Sequence, residues 1–212
     1  LSDRASELLA GAEIAALRTL PGDDASCLNL YRPQRPGLLG VSSALRRRGG
    51  FHFGATLDAG GAVDHWALLE QELGPGVIPA IGDANSTQWI LHLSLGDELE
   101  IEDERGRPLR LRIVGLLRES VFQSELLISD ENLLRHFPSR SGFSYFLLDP
   151  PAGETEATAA ALEDGPGRFG FDSVPSAQQL AGYRVVPHPS LPTSQSLAPP
   201  ALLPVTLHPP PT

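Results

Sequence analysis

The chain of 212 residues contains no lysine and no methionine, and only one cysteine, Cys27. A single cysteine cannot close an intramolecular disulfide, and it cannot supply a CxxC redox pair or a zinc-finger ligand set. A basic face is also missing, because 16 arginines stand against 26 Asp and Glu, for a formal net charge of −10. Nucleic-acid binding depends on basic groups that displace phosphate counterions, so this balance argues against it. With no methionine, position 1 is expected to be an internal position of a longer chain. No run of 18 apolar residues occurs before residue 184, and no signal-peptide pattern opens the sequence. What is present suffices for a core: 41% of residues are hydrophobic and 20% charged, the balance of an ordinary globular domain.

The spacing of Leu8, Leu9, Ala12, Ala15, Ala16 and Leu17 predicts a helix from Asp3 to Leu20, ended by Pro21-Gly22. Cys27 to Tyr31 reads as a buried strand, Arg35-Pro36 as an unpaired extended path, and Arg46 to Gly50 as a loop. A strand follows at Phe51 to Ala55. Asp64 caps a helix carrying Trp66, Leu68, Leu69 and Leu73, Val77 to Ile81 is a strand, and Asp83 or Asn85 caps a helix through Leu93 that Gly96 stops. The clearest pattern comes next, with Leu99 and Ile101 alternating with Glu98, Glu100 and Glu102, then Arg110 and Arg112 with Leu109, Leu111 and Ile113. This predicts a hairpin, and the loop Glu104-Arg105-Gly106 would set Leu99 against Leu111 and pair Glu100 with Arg110 and Glu98 with Arg112. Further strands are predicted at Leu126 to Ile128, Phe143 to Leu148 and Phe169 to Val174. Helices are predicted after Ser129, from Glu154 to Leu162, and from Ser176 to Tyr183. The irregular alternation indicates an α+β fold: a mixed sheet with packed helices. Residues 185–212 hold nine of the 20 prolines and no Asp, Glu or Arg, so an extended or disordered tail that buries little is expected.

Groups that could carry chemistry are scattered. His52, His65, His92, His136, His188 and His208 show no HxH or HExxH spacing, so neither a metal nor another cofactor is expected. The acidic run Asp97, Glu98, Glu100, Glu102, Asp103 and Glu104 alternates along a strand, which projects its carboxylates over one solvated face rather than into a calcium loop. No GxSxG elbow exists, and Ser141-Gly142-Phe143-Ser144 does not provide one. Cys27 lies in an apolar pattern that suits an inert thiol. No phosphate cradle of the GxGxxG or GxxxxGK[ST] type is present. The run Arg46 to Arg48 reads as a solvated loop. No catalytic, cofactor-binding or metal-binding residue is therefore assigned.

From Val77 to Leu117 the pieces form a recognisable series: Ile78-Pro79-Ala80-Ile81, a capped helix, Leu93-Ser94-Leu95-Gly96-Asp97-Glu98-Leu99, then Leu111-Arg112-Ile113-Val114-Gly115-Leu116. This resembles the extracytoplasmic (periplasmic core) domain of FtsX-like, MacB-type ABC transporter permeases. There, a strand leads to a helix, a Gly-Asp turn opens a small β unit, and a strand ending in a VVG-like triplet closes it. Val121 to Ile128, Phe137 to Gly142, Phe146 to Leu148 and Ala177 to Tyr183 are similar too. The resemblance covers roughly residues 20–184. It implies a domain over 1–184, a smaller inserted β-hairpin unit over 77–119, and, at 185–212, a proline-rich segment where the family has a transmembrane helix. It further implies a non-enzymatic role on the extracytoplasmic side of the bacterial cytoplasmic membrane. The implied partners are a separate cytoplasmic ABC ATPase, reached through the membrane part of the parent chain, and a second permease copy. A secreted hydrolase and a free-standing extracytoplasmic binding or adaptor domain are the competing readings.

Overall fold

The computed structural model describes residues 7, 9–22, 35–57, 64–118, 120–123, 125–164, 171–173 and 203–207. The fold is α+β, and the chain divides into two compact units, one of Leu17–Phe143 and one of Leu1–Ala16 with Ser144–Thr212.

The first element differs from expectation. Glu13–Leu20 is a strand, β1, and its buried positions Ala15 and Leu17 lie two apart. Those residues satisfy both helical and strand spacing. Antiparallel pairing of Arg18, Thr19 and Leu20 with Gly40, Leu39 and Leu38 of β2 (Gly37–Val41) decides the matter. Helix preference, at most about 0.7 kcal/mol per ordinary residue, yields to ladder bonds and burial. The arginine run is corrected likewise: Ser43–Arg48 is a helix, α1. Ser42 Oγ accepts the Leu45 N–H at 3.4 Å, Leu45 is buried, and three arginines face the negative end of the helix dipole.

Strand β3 (His52–Thr56) and a 3-10 helix (His65–Glu70) follow, the latter capped by Asp64 through the Trp66 N–H at 3.0 Å. β4 (Val77–Asp83) is buried throughout and feeds α2 (Ala84–Trp89). Asp83 is the cap and also reaches across the fold. Its Oδ1 accepts from the Asn85 and Ser86 N–H groups, both at 3.1 Å, while Oδ2 accepts from the Ser120 N–H at 3.2 Å. The helix stops short of Leu93; the Ile90 and Leu91 N–H groups both turn back to Ser86 O, and His92 takes φ 55.

β5 (Glu98–Glu102) and β6 (Pro108–Arg118) pair in the expected register, Leu99 opposite Leu111 and Glu100 opposite Arg110. The Asp103 N–H bonds Arg107 O at 2.9 Å, enclosing Glu104-Arg105-Gly106, with Gly106 at φ 71. One detail changes: Arg110 and Arg112 both bond Glu98, at 3.0 and 2.5 Å, so the Arg110 contact is diagonal rather than to Glu100. β7 (Glu125–Ser129) runs into α3 (Asp130–His136), capped by Ser129 Oγ.

Within this unit the sheet order is β3-β6-β4-β7-β2-β1, with β5 beside the first half of β6. β4/β6 and β2/β7 are parallel; the other pairs are antiparallel. A core of Leu38, Ile78, Leu111, Ile113, Leu126 and Ile128 is covered by Leu133 and Phe137 of α3 and its end. Phe51, Phe53, Trp66 and Phe122 form a second, aromatic cluster, with ring centroids 5.3 to 5.8 Å apart.

In the other unit, β10 (Leu203–Leu207) lies between β8 (Tyr145–Asp149) and β9 (Phe171–Ser173), antiparallel to both. Val205 is 1% exposed and packs with Leu148 and with Ala159 and Leu162 of α4 (Thr155–Asp164). The tail expected to bury little is thus a sheet strand at these five residues. Its prolines exclude helix, but Pro204 is accommodated opposite Leu147. The predicted strand at Cys27 to Tyr31 and helix at Ser176 to Tyr183 lie outside the described residues. Among the described residues no helix is long and apolar enough to cross a membrane.

Candidate functional site

One concavity of the Leu17–Phe143 unit lies beside a proline. The Arg110 N–H bonds Gly76 O at 2.8 Å, and Val77 lies opposite Arg110 in a parallel ladder. This phase commits the backbone groups of Ile78 and Ala80 to β6 and turns those of Val77 and Pro79 toward β7. On that side β4 pairs with β7 only at Ile81↔Leu127 and Gly82↔Leu126. The next bonded pair, Pro79 with Ser129, would exchange two bonds, and one of them needs an N–H that Pro79 lacks. The ladder ends there, and beyond it a groove of about 1100 Å³ is lined by Val77, Ile78 and Pro79 on one side and by Ser129 and Asp130 on the other.

The rim carries charge, most of it neutralised. Arg46 Nη1 donates to Glu70 Oε1, Arg135 Nη2 to Glu131 Oε1, and Arg18 Nη1 to Asp130 Oδ2, each at 2.5 Å. Glu72 also lines the groove, is exposed, and has no cationic partner among the described residues. Arg18 does more than neutralise Asp130: its Nε donates to Ser141 O at 2.8 Å, and its guanidinium sits 4.2 Å from the Phe143 ring centre.

His136, last residue of α3, also lines the groove, and its Nδ1 lies 3.9 Å from Asp103 Oδ2. Burial holds its pKa below the usual histidine value despite the opposing pull of Asp103, which favours the neutral imidazole. Hydrogen bonds from the Arg107 side chain and backbone hold Asp103 down at about 2. Glu104 is also lowered, chiefly by the Ser139 N–H that donates to it at 3.0 Å. These contacts fasten the hairpin loop to the end of α3. They correct the expectation of one open acidic face, since Asp103 is 7% exposed. Among the described residues no serine or threonine hydroxyl bonds His136.

The remaining suspects are dispersed. His52 and His92 are exposed, and His65 packs at a tilt against Phe53 with centroids 5.1 Å apart. No group of three His, Cys, Asp or Glu is placed to hold a metal among the described residues. Ser141 serves as an acceptor for Arg18 and does not sit on a strand-to-helix elbow. Cys27, His188 and His208 lie outside the described residues. The groove residues Glu72, Pro79 and His136 were not singled out as a site by sequence. The available signal was a proline inside an apolar strand pattern, which marks an edge or an interruption.

Asp97 Oδ2 accepts the Ser94 N–H at 2.8 Å, Gly96 takes φ 93, the Gly96 N–H donates to Ile113 O at 2.8 Å, and the Ile113 N–H to Asp97 O at 2.9 Å. The Gly-Asp turn is thereby docked on β6 at Ile113, the first residue of the Ile113-Val114-Gly115 triplet. At that triplet β6 carries an extra residue: Ala80 lies opposite Ile113 and Ile81 opposite Gly115.

No protein-family model matches the chain, and no curated protein does. Among solved structures, the extracellular domain of the noncanonic ABC-type transporter YknZ from Gram-positive bacteria is similar over 78% of this chain and 83% of that one, at 14% identity and a TM-score of 0.36. A likeness of that size carries no conclusion about this chain.

Proposed function

We propose that this chain is a non-catalytic extracytoplasmic domain of an ABC transporter permease of the FtsX-like, MacB type. In this reading the domain couples ATPase-driven motion of membrane helices, supplied by the parent chain, to handling of a substrate or partner outside the bacterial cytoplasmic membrane. The observation that carries it is the junction of Gly96-Asp97 with Ile113-Val114-Gly115. Two short motifs, chosen from sequence for their resemblance to such permeases, meet in one hydrogen-bonded structure, the turn on one side and the bulge on the other. Its partners are a separate cytoplasmic ABC ATPase and a second permease copy. Residues 1–184, together with the strand Leu203–Leu207, make up the extracytoplasmic domain, with 77–119 as its smaller inserted unit. Residues 185–212 stand where the family continues into the membrane. The secreted-hydrolase reading would need a nucleophile beside His136. The adaptor reading would need a parent chain without membrane segments.

The test is the reading frame on both sides of this segment, together with the purified chain. Apolar stretches of about 20 residues, enough for a bilayer core of about 30 Å, are expected upstream and downstream. The purified chain should hydrolyse neither ATP nor generic esters and peptides. Flanks without apolar spans, or turnover abolished by His136→Ala, would transfer the chain to one of the rivals.

A further inference from the structure

We propose that the outer edge of β5 is a docking site for an extended segment of a partner protein that carries lysine or arginine at alternate positions. Bonds at the two ends of β5 fix which of its backbone groups are spent. The Asp103 N–H donates to Arg107 O at 2.9 Å, and the Ile113 N–H donates to Asp97 O, also at 2.9 Å. Between them the register runs without a shift from Glu98↔Arg112 to Glu102↔Pro108. In an antiparallel ladder only alternate residues exchange bonds with the neighbouring strand, so Leu99 and Ile101 bond β6, and Glu98, Glu100 and Glu102 turn their N–H and C=O groups outward. Among the described residues no strand other than β6 pairs with β5, and no backbone bond reaches those outward groups. The other strand on this side of β6, β3, is interrupted by a register shift between Phe53 and Ala55, a common means of blunting an edge, whereas β5 is regular.

Charge selects the occupant. Alternation puts the carboxylates of Glu98, Glu100 and Glu102 in one row on one face of the strand. Glu98 is held by Arg110 and Arg112, at 3.0 and 2.5 Å, while Glu100 and Glu102 are exposed and have no cationic partner among the described residues. A second copy of β5 laid antiparallel on this edge would set Glu100 against Glu100 and Glu98 against Glu102, like charges directly opposite, so the edge rejects its own copy. No other stretch of this chain fits. It has no lysine, and Arg-x-Arg spacing occurs only at Arg46/Arg48, Arg105/Arg107 and Arg110/Arg112, all committed to α1 or to the hairpin itself. A separate antiparallel strand with cations at alternate positions satisfies both the outward backbone groups and the carboxylates. Its intervening side chains point to the face of Leu99 and Ile101. There a cavity of about 280 Å³ touches Ile101, with Leu20, Leu38 and Phe137 among its apolar walls and Arg35, Glu102 and Arg140 among its polar ones, and it has room for one of those side chains. None of this depends on the transporter reading.

Titration of the ¹⁵N-labelled 212-residue chain with a short synthetic peptide that alternates lysine and valine tests it. Saturable shifts are expected at the amides of Glu98, Glu100 and Glu102. Bound peptide should slow hydrogen exchange at those three amides and leave Leu99 and Ile101, already bonded to β6, unchanged. Affinity should fall at raised salt, and Glu100→Gln with Glu102→Gln, both at exposed positions, should weaken it at least several-fold. The same peptide N-methylated at its lysine backbone nitrogens keeps its charge but cannot complete the ladder, and it should not bind. No saturable shift, shifts confined to other residues, or no added protection at Glu100 would overturn the proposal. So would equal binding of the N-methylated peptide, unchanged affinity in the glutamine variant, or slow exchange at the three amides in the chain alone, whether as monomer or as dimer.

Discussion

Glu125 opens β7 opposite Gly37 of β2, and burial pushes its carboxyl up from 4.5 to about 7. The folded state therefore keeps a proton that the unfolded chain releases. Its contribution to stability is complete below 4.5 and is lost as pH rises through about 7. Each pH unit across that interval is worth about 1.4 kcal/mol, so about 3 kcal/mol is the ceiling for this one group. Glu125→Gln keeps the shape and removes the titration. The variant should match the parent near pH 4.5 and exceed it by about 2 to 3 kcal/mol near pH 8. Urea unfolding followed by tryptophan fluorescence gives both values, since Trp66 is buried in the same unit. Parallel pH profiles for the two proteins, or a glutamine variant that is weaker at pH 8, would refute the assignment of a half-buried Glu125 that holds its proton in the folded state.

Three further outcomes are expected. Asp83→Ala should cost about 2 to 4 kcal/mol in unfolding free energy, because the Asn85, Ser86 and Ser120 donors lose one shared acceptor. Gly82→Ala should destabilise by a similar amount, about 2 to 4 kcal/mol, since its Cβ would stand 2.1 Å from Thr87 Oγ1 and 3.0 Å from Leu126 Cδ2; Thr87→Ala should restore part of the loss. Val205→Ala should lower stability by about 1 to 3 kcal/mol and raise proteolytic cleavage between β9 and β10, whereas an unpacked tail would not respond.

Elements set by local chemistry were legible in the sequence. Asp64, Asp83 and Ser129 each cap the helix that their spacing to the next apolar residues suggested, and the Glu/Arg alternation with Gly106 defined the hairpin to the residue. Elements set by distant partners were not. Residues 13–20 are a strand because β2 pairs with them, and residues 203–207 are a strand because β8 and β9 flank them. No local pattern announces either event. The groove follows the same division. Pro79, beside it, is visible in the sequence, but its meaning depends on which strand lies alongside. His136 and Asp103 meet only because the hairpin loop folds back onto the end of α3. Arg46 to Arg48 misled for a different reason: a run of like charge resembles a loop until the buried Leu45 and the Ser42 cap are weighed with it.

The placement of this domain outside the membrane is the claim from which the rest of the proposed function follows. It can be measured on the native full-length protein, with an antibody raised against the hairpin Glu98 to Arg118 and protease added to intact spheroplasts and to lysed ones. The account predicts that the epitope sediments with the membrane fraction and is destroyed in intact spheroplasts while a cytoplasmic marker survives. An epitope in the soluble fraction, or one protected until lysis, would contradict it.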